Sequence, residues 1–268
     1  MLPDEQVRRN TALFDRLAPD YDALGFLTLA ARSLAAQVPV MPDDGVLEVA
    51  AGTGTVALAL AQQLGPTGEV VATDLAPQMV AQGQRRAQDL GATRVRFEVA
   101  DAGALPFAEA RFNRVVCASG LFFVPDMAGA LREWRRVLRP GGTVTFSSFG
   151  RGLLGELPGL WRDALSGAGL RPASPPLGRI PSPEAARALL LEAGFEQAEA
   201  RLLNLHYPLL SPEARWADIE LGLEGAPLHG RGAGEVTRWK EAHLAQLRAA
   251  FTWPLTVPVP LIVASGQR

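Results

Sequence analysis

The sequence predicts an α/β fold, a mostly parallel sheet with helices on both faces, and three observations carry that prediction. Between residues 45 and 149, short apolar runs alternate with helix-patterned segments, the order expected of β-α-β units. The runs are nearly continuous in apolar residues, as in GVLEVA (45–50) and EVVATD (69–74), which suits strands covered on both sides. Gly/Pro punctuation, GPTG at 65–68 and RPGG at 139–142, separates the units. Right-handed crossovers then bring the strand C-termini to one edge, where such sheets bind ligands.

Each element follows in order. Residues 4–38 read as helical, with Val7, Leu13, Phe14 and Leu17 at helical spacing; Pro19 interrupts, and a second helix covers 24–38 before Pro39 and Pro42. The first strand leads into a Gly/Thr turn and the helix TVALALAQQL (55–64). After the second strand comes the helix 77–90, with Pro77 at its start and Gly91 at its end. RVRFEVA (94–100) and FNRVVCAS (112–119) give strands three and four, MAGALREWRRVL (127–138) a helix, and TVTFSSF (143–149) strand five. Beyond 150 the alternation weakens. A short helix is expected at 156–167, and another at 183–194 with Ser182 as N-cap. EQAEARLLNLHYPL (196–209) is a strand, and 211–223 and 235–251 are helices. WPLTVPVPLIVASG (253–266) is a terminal strand whose prolines predict an edge or a bulge.

Composition narrows the function classes. With 268 residues, 48% hydrophobic and 20% charged, the chain has ordinary globular chemistry, and its net charge of −2 gives no nucleic-acid footprint. Cys117 is the only cysteine, so an intramolecular disulfide and a cysteine-rich zinc site are excluded, and no metal is expected. The first ten residues, MLPDEQVRRN, lack the apolar core of a signal peptide, and no apolar run reaches the ~18 residues of a membrane span. A cytoplasmic address is the expectation.

The chemistry concentrates in VLEVAAGTGTVALAL (46–60). Glu48 sits near the end of strand one, Gly52 and Gly54 form a tight turn, and a helix starts at once, presenting free N–H groups. Asp74 ends strand two, where an acid accepts both hydroxyls of a ribose, and Asp101 ends strand three, placed for an adenine amino group. Each feature alone has a bland reading, since Gly-x-Gly is often a turn and lone aspartates are often caps. Three acids in register along one edge favour an adenosine-containing ligand. Gly52-x-Gly54-x-x-Ala57 also satisfies the loose dinucleotide fingerprint. Against a nicotinamide dinucleotide, Glu48 would repel a pyrophosphate at the turn, and no dehydrogenase-like acid/base pair follows.

VLEVAAGTGT, VVATDLAPQMV, FEVADAGALPF, FNRVVCASGLFFVPD and LREWRRVLRPGGTVTFSSF together resemble the class I S-adenosyl-L-methionine-dependent methyltransferases, in particular the ubiquinone/menaquinone biosynthesis type, which also has a segment similar to LFDRLAPDYD (13–22). The resemblance covers residues 11–149 well and the rest in outline. It implies a Rossmann-like, seven-stranded sheet with one antiparallel strand, here assigned to 254–264. It implies that Glu48 and the turn Ala50, Ala51, Gly52, Thr53 and Gly54 hold the methionine end. Asp74 would hold the ribose, Leu75 and Met79 would flank the adenosine, and Asp101 and Ala102 would hold the adenine. Ser119 would lie where methionine moiety and acceptor meet, and Tyr21 reads equally as closing over the cofactor or as a packed surface aromatic. The family pattern D/E-x-G-x-G-x-G has lost its first glycine to Ala50, one methyl that shifts the backbone slightly.

The whole chain, 1–268, is expected to form one methyltransferase domain: an N-terminal helical segment (1–44), a cofactor-binding core (45–149), and a C-terminal part (150–268) with cap segments at 151–181 and 207–253. The cap and the N-terminal helices would roof the acceptor. Leu121, Phe122 and Phe123, and four of the five tryptophans (Trp161, Trp216, Trp239 and Trp253), point to a small apolar or aromatic acceptor, although tryptophans at helical spacing are more often core. The Asn/Asp-Pro-Pro-Tyr/Phe motif of amide and amino-purine acceptors is absent after strand four, where ASGLFF stands, so nucleic acid is not the expected substrate. No general base is evident; His206, at the end of strand six, and Tyr21 are the catalytic candidates, while His229 and His243 read as structural and Cys117 as a buried strand residue. The competing readings are a nicotinamide-dependent oxidoreductase and a non-catalytic S-adenosylmethionine-binding module.

Overall fold

The structure, a computed structural model, describes residues 3–173 and 175–268. Helices α1 (Pro3–Leu17) and α2 (Gly25–Ala35) flank a 3₁₀ turn at Ala18–Ala23, where Pro19 breaks the helical ladder. The alternating core follows: β1 (Gly45–Val49), α3 (Thr55–Ala61), β2 (Glu69–Asp74), α4 (Pro77–Asp89), β3 (Val95–Val99), β4 (Phe112–Cys117), α5 (Met127–Val137) and β5 (Leu138–Phe149). Then come α6 (Leu157–Gly167), α7 (Pro183–Glu192), β6 (Glu196–Leu209), α8 (Pro212–Leu221), α9 (Ala233–Ala250) and β7 (Leu255–Gln267). Ser182 and Ser211 cap α7 and α8, each accepting a bond from the third residue on (Ala185 N, Ala214 N).

The strands form one seven-stranded sheet in the order β3-β2-β1-β4-β5-β7-β6. β3, β2, β1, β4 and β5 pair in parallel, and β7 runs antiparallel to both β5 and β6. Consecutive strand residues feed opposite faces: Val46 and Val70 pack with Leu34, Val56 and Leu60 on one, Leu47 and Val71 with Leu131, Trp134 and Leu190 on the other. A smaller core of Trp161, Trp216, Ile219 and Leu244 holds α6, α8 and α9 together as a cap.

Three details differ from the sequence reading. β5 starts at Leu138, because RPGG continues the strand through an irregularity instead of ending the helix in a loop. Asp101 lies two residues beyond the end of β3. β7, expected at an edge because of its prolines, is the second strand from the end of the sheet. The proline half of β7 outruns its partner: β5 pairs only as far as Phe149 opposite Leu261. Past that point the carbonyls of Pro260 and Pro258 accept from Gly150 N (2.8 Å) and Leu154 N (2.9 Å) of the departing chain. In an antiparallel strand N and O of one residue face the same neighbour, so the missing proline donors fall on this flank, where no strand needs them.

Candidate functional site

The crossover from β1 to α3 is built from tight backbone. Gly52 and Gly54 have φ of 56° and 80°, and a Cβ on Gly54 would come within 2.4 Å of the Phe97 ring. Ala50, where the resembling family has glycine, also has a positive φ, 51°, a conformation an alanine adopts at a cost. The β4 exit repeats the device: Ser119 has φ 53°, its N–H donates to Ser147 Oγ (3.1 Å), and the two hydroxyls are 3.2 Å apart.

Asp74 ends β2 with both carboxylate oxygens on backbone amides: Gly52 N–H donates to one (2.8 Å) and Ala76 N–H to the other (2.9 Å). Burial raises its pKa, opposed by those bonds. Each oxygen keeps a second lone pair for a ligand hydroxyl. Gly52, Asp74, Leu75, Met79, Asp101 and Ala102 line one narrow cleft of about 110 Å³ that also touches Tyr21, Ala50 and Ser119. Asp101 is exposed, its Oδ1 accepting from Gly103 N (2.8 Å), and the loop is anchored by Trp134, whose indole N–H donates to Ala102 O (2.9 Å).

Glu48 is placed differently from the expectation. Its carboxylate accepts from Ala57 N (2.7 Å) inside α3, so part of the helix N-terminus is already satisfied from within the chain. It lines a second chamber of about 50 Å³ with Ala51 and Thr53, behind Gly52 and Tyr21, and not the cleft that holds Asp74 and Asp101. Burial pushes its pKa up to about 8, partly offset by the Ala57 bond. Gly54 lines neither space; its place is the close contact with Phe97.

Tyr21 lies on the 3₁₀ turn, its ring 3.5 Å from where a Gly52 Cβ would stand. Burial, reinforced by the nearby Asp74, Asp22 and Glu48, holds its hydroxyl strongly in the protonated form. The turn is fastened by a group with no sequence signature. Arg86 Nη1 donates to Asp22 (2.9 Å), Thr53 O (2.8 Å), Thr53 Oγ1 (2.9 Å) and Thr55 Oγ1 (3.2 Å), while Thr53 Oγ1 donates to Asp22 (2.5 Å). Asp15 on α1 accepts from Gln78 N (2.8 Å) at the start of α4, and Asn10 donates to Phe123 O (3.2 Å). The N-terminal segment is thereby tied across the sheet edge.

A third cavity of about 920 Å³ opens beside the cleft. Phe14, Tyr21, Ser119 and Phe123 belong to the walls of both. Its roof comes from α1 and α2, from 150–163 and 175–181, and from the end of α8 and the residues after it. The aromatic surface is phenylalanine (Phe26, Phe122, Phe149), not the tryptophans. Trp161 and Trp216 are buried in the cap core, and neither they, Trp239 nor Trp253 line the cavity. Nor does His206 belong to the site. It is an exposed residue on the outermost strand, paired with Pro258, and lines none of the three spaces. Cys117 is fully buried and its thiol is pushed up to about 12 by burial, and His243 is buried against Trp161 and Trp216.

Residues 46–142 match the methyltransferase domain family. The chain is 36% identical over 154 residues to the ubiquinone/menaquinone biosynthesis C-methyltransferase UbiE of Burkholderia mallei, a match covering 55% of this chain and 63% of that protein, less than two thirds of its length. Among solved structures it is similar to the YcgJ protein of Bacillus subtilis (20% identity, TM-score 0.59, covering 90% of this chain and 98% of that one). It is also similar to phosphoethanolamine N-methyltransferase 2 of Haemonchus contortus, solved with S-adenosyl-L-methionine (19% identity, TM-score 0.54, covering 89% and 52%). At such identities the structural likeness speaks to the fold alone. Through residues 46–142 the chain is thus similar to the methyltransferase domain family, and that stretch folds into the part of the sheet that carries the Gly52 turn and Asp74.

Proposed function

We propose that the chain transfers the methyl group of S-adenosylmethionine to a small, largely apolar molecule held in the 920 Å³ cavity. The observation that carries this reading is the shared wall: Tyr21, Ser119, Phe14 and Phe123 border both the Asp74 cleft and the larger cavity, so two molecules bound there would meet at that wall.

The cleft fits the cofactor in kind. Asp74, pre-oriented by Gly52 and Ala76, would accept from the ribose hydroxyls, Leu75 and Met79 would bracket the adenosine, and Asp101 and Ala102 would take the adenine edge. Ala50, Gly52 and Ser119 would border the methionine end, with Glu48, Ala51 and Thr53 one layer behind. At about 110 Å³ the cleft is well below the ~300 Å³ usual for a ligand site, because Tyr21 packs on Gly52. Tyr21, on the fastened turn 18–23, would lie against the bound cofactor. The bound cofactor supplies an activated methyl on a sulfonium. The chain's part is to hold the acceptor in line and exclude water, and positioning of that kind accounts for much of such a reaction's acceleration. No histidine lines the described cavity walls, which suits an acceptor that needs little help in losing a proton.

Isothermal titration with S-adenosylhomocysteine and with NAD tests the cofactor half: binding of the first and not the second is expected, and the reverse would support an oxidoreductase. Mass spectrometry of a metabolite panel incubated with methyl-labelled cofactor tests transfer. Label appearing in an apolar acceptor is expected, whereas tight cofactor binding with no transfer to any metabolite would favour a non-catalytic binding module.

A further inference from the structure

The cavity beside the cleft is apolar over most of its wall, yet one buried part is acidic. Asp218, on α8, lines it while only 6% exposed, and its Oδ2 has no hydrogen-bond partner among the described residues. Glu224 lines the same cavity, but its carboxylate is held by Arg215 Nη2 at 2.7 Å. Arg215 is fully buried and answers one of the two acids, which leaves this corner one negative charge in excess. Burial pushes the Asp218 carboxyl up to about 6, with Arg215 opposing, so above that pH it is mostly ionised. A buried, ionised carboxylate without a partner is costly to keep, and chains retain such groups mainly where something pairs with them. The other charged residues of the wall, Arg151, Glu156, Arg162 and Asp163, are exposed and mixed in sign, so they set no preference in the interior.

We infer that the acceptor is an amphiphile, an apolar or aromatic body lying along Phe26, Phe122 and Phe149 with a protonated amine that pairs with Asp218. This rests on the proposed function for the identity of the cavity as the acceptor site, and it makes Asp218 the specificity-determining residue of that site.

The test uses three probes that share one body and differ in one group: 4-phenylbutylamine, 4-phenylbutanol and 4-phenylbutyrate. Each is titrated calorimetrically into the full chain, with and without saturating S-adenosylhomocysteine. The amine is expected to bind at least about tenfold more tightly than the carboxylate. Asp218→Asn should bring the amine to within about twofold of the alcohol, while Asp218→Glu should keep the preference. S-adenosylhomocysteine affinity and the melting temperature, measured on the same samples, certify that the variants are folded. A carboxylate that binds as well as the amine, a preference that survives Asp218→Asn in a folded protein, or no binding by any probe each overturns the inference. Loss of S-adenosylhomocysteine binding in the wild type, with the amine preference intact, would count against the cofactor reading and leave the acidic corner standing.

Discussion

The cofactor rim and the cap are built on opposite terms. Along the rim the polar atoms are answered by backbone: both oxygens of Asp74 are bonded, Ala51 N reaches Thr73 O at 2.9 Å, and Ser119 N reaches Ser147 Oγ. The chain accepts left-handed backbone at Ala50, Gly52, Gly54 and Ser119 to achieve it. In the cap, Arg215 Nε and Nη1, Trp216 Nε1, Asp218 Oδ2 and His243 Nε2 are buried without partners among the described residues. Each such group costs about 1–3 kcal/mol. Of these residues only Asp218 lines the larger cavity; Arg215, Trp216 and His243 lie within the cap's own packing. The cap is accordingly the softer region, and hydrogen exchange should open α8 and α9 before the sheet.

The sharpest way to break this contrast is at Gly54. Gly54→Ala puts a methyl on Phe97 at a φ of 80°, and a loss of about 3 kcal/mol in urea unfolding is expected. An unchanged midpoint would mean that the rim is not rigid. Asp74→Ala comes next: cofactor affinity, read by titration with S-adenosylhomocysteine, should fall by ~1–3 kcal/mol, and equal affinity would reject the ribose role. In the cap, Ser211→Ala removes the α8 cap and should cost about 1 kcal/mol of stability while leaving S-adenosylhomocysteine affinity unchanged. A parallel loss of affinity would show the two regions to be coupled.

Glu48 gives a pH test. Its folded pKa is about 8 against an ordinary 4.5, so the protonated form is favoured by folding. That stabilisation is complete below the unfolded value and is lost as pH rises through the folded one. The melting temperature of the ligand-free wild type should therefore fall between about pH 4.5 and about pH 8 more steeply than that of Glu48→Gln. Parallel curves would place the titrating group elsewhere. The smallest effect is expected at Ala50. Ala50→Gly relieves a φ of 51° but adds chain entropy to the unfolded state, for a net gain of about 0.5 kcal/mol in chemical denaturation. A loss would show that the methyl's packing outweighs the strain.

The core of the fold was legible because periodicity is local. β2, β4, β6, α7 and α8 stand where alternation, caps and punctuation put them. The reversed strand came from the family resemblance, but its place inside the sheet did not, since a proline reads as an edge until the length of the neighbouring strand is known. Asp74 and Asp101 meet in one cleft as their places at and just past the ends of strands imply, with Met79 of α4 beside them as the resemblance implies, whereas Glu48 faces the adjoining chamber, where a nearby helix amide holds it. His206 was misjudged because a strand's end says nothing of how far across the sheet it lies. Arg86 and Trp134 could not be found at all: their partners are 64 and 32 residues away and form no motif. Asp218 sits in a stretch that reads only as a capped helix, and the cap's folding buries it.

A crystal structure of the full chain with S-adenosylhomocysteine tests the central claim most directly. The ribose should lie on Asp74, the adenine beside Asp101, and the sulfur at the wall of Tyr21, Ser119 and Phe123, facing the larger cavity. A molecule bound with its sulfur sealed from that cavity, or bound away from Asp74, would contradict it.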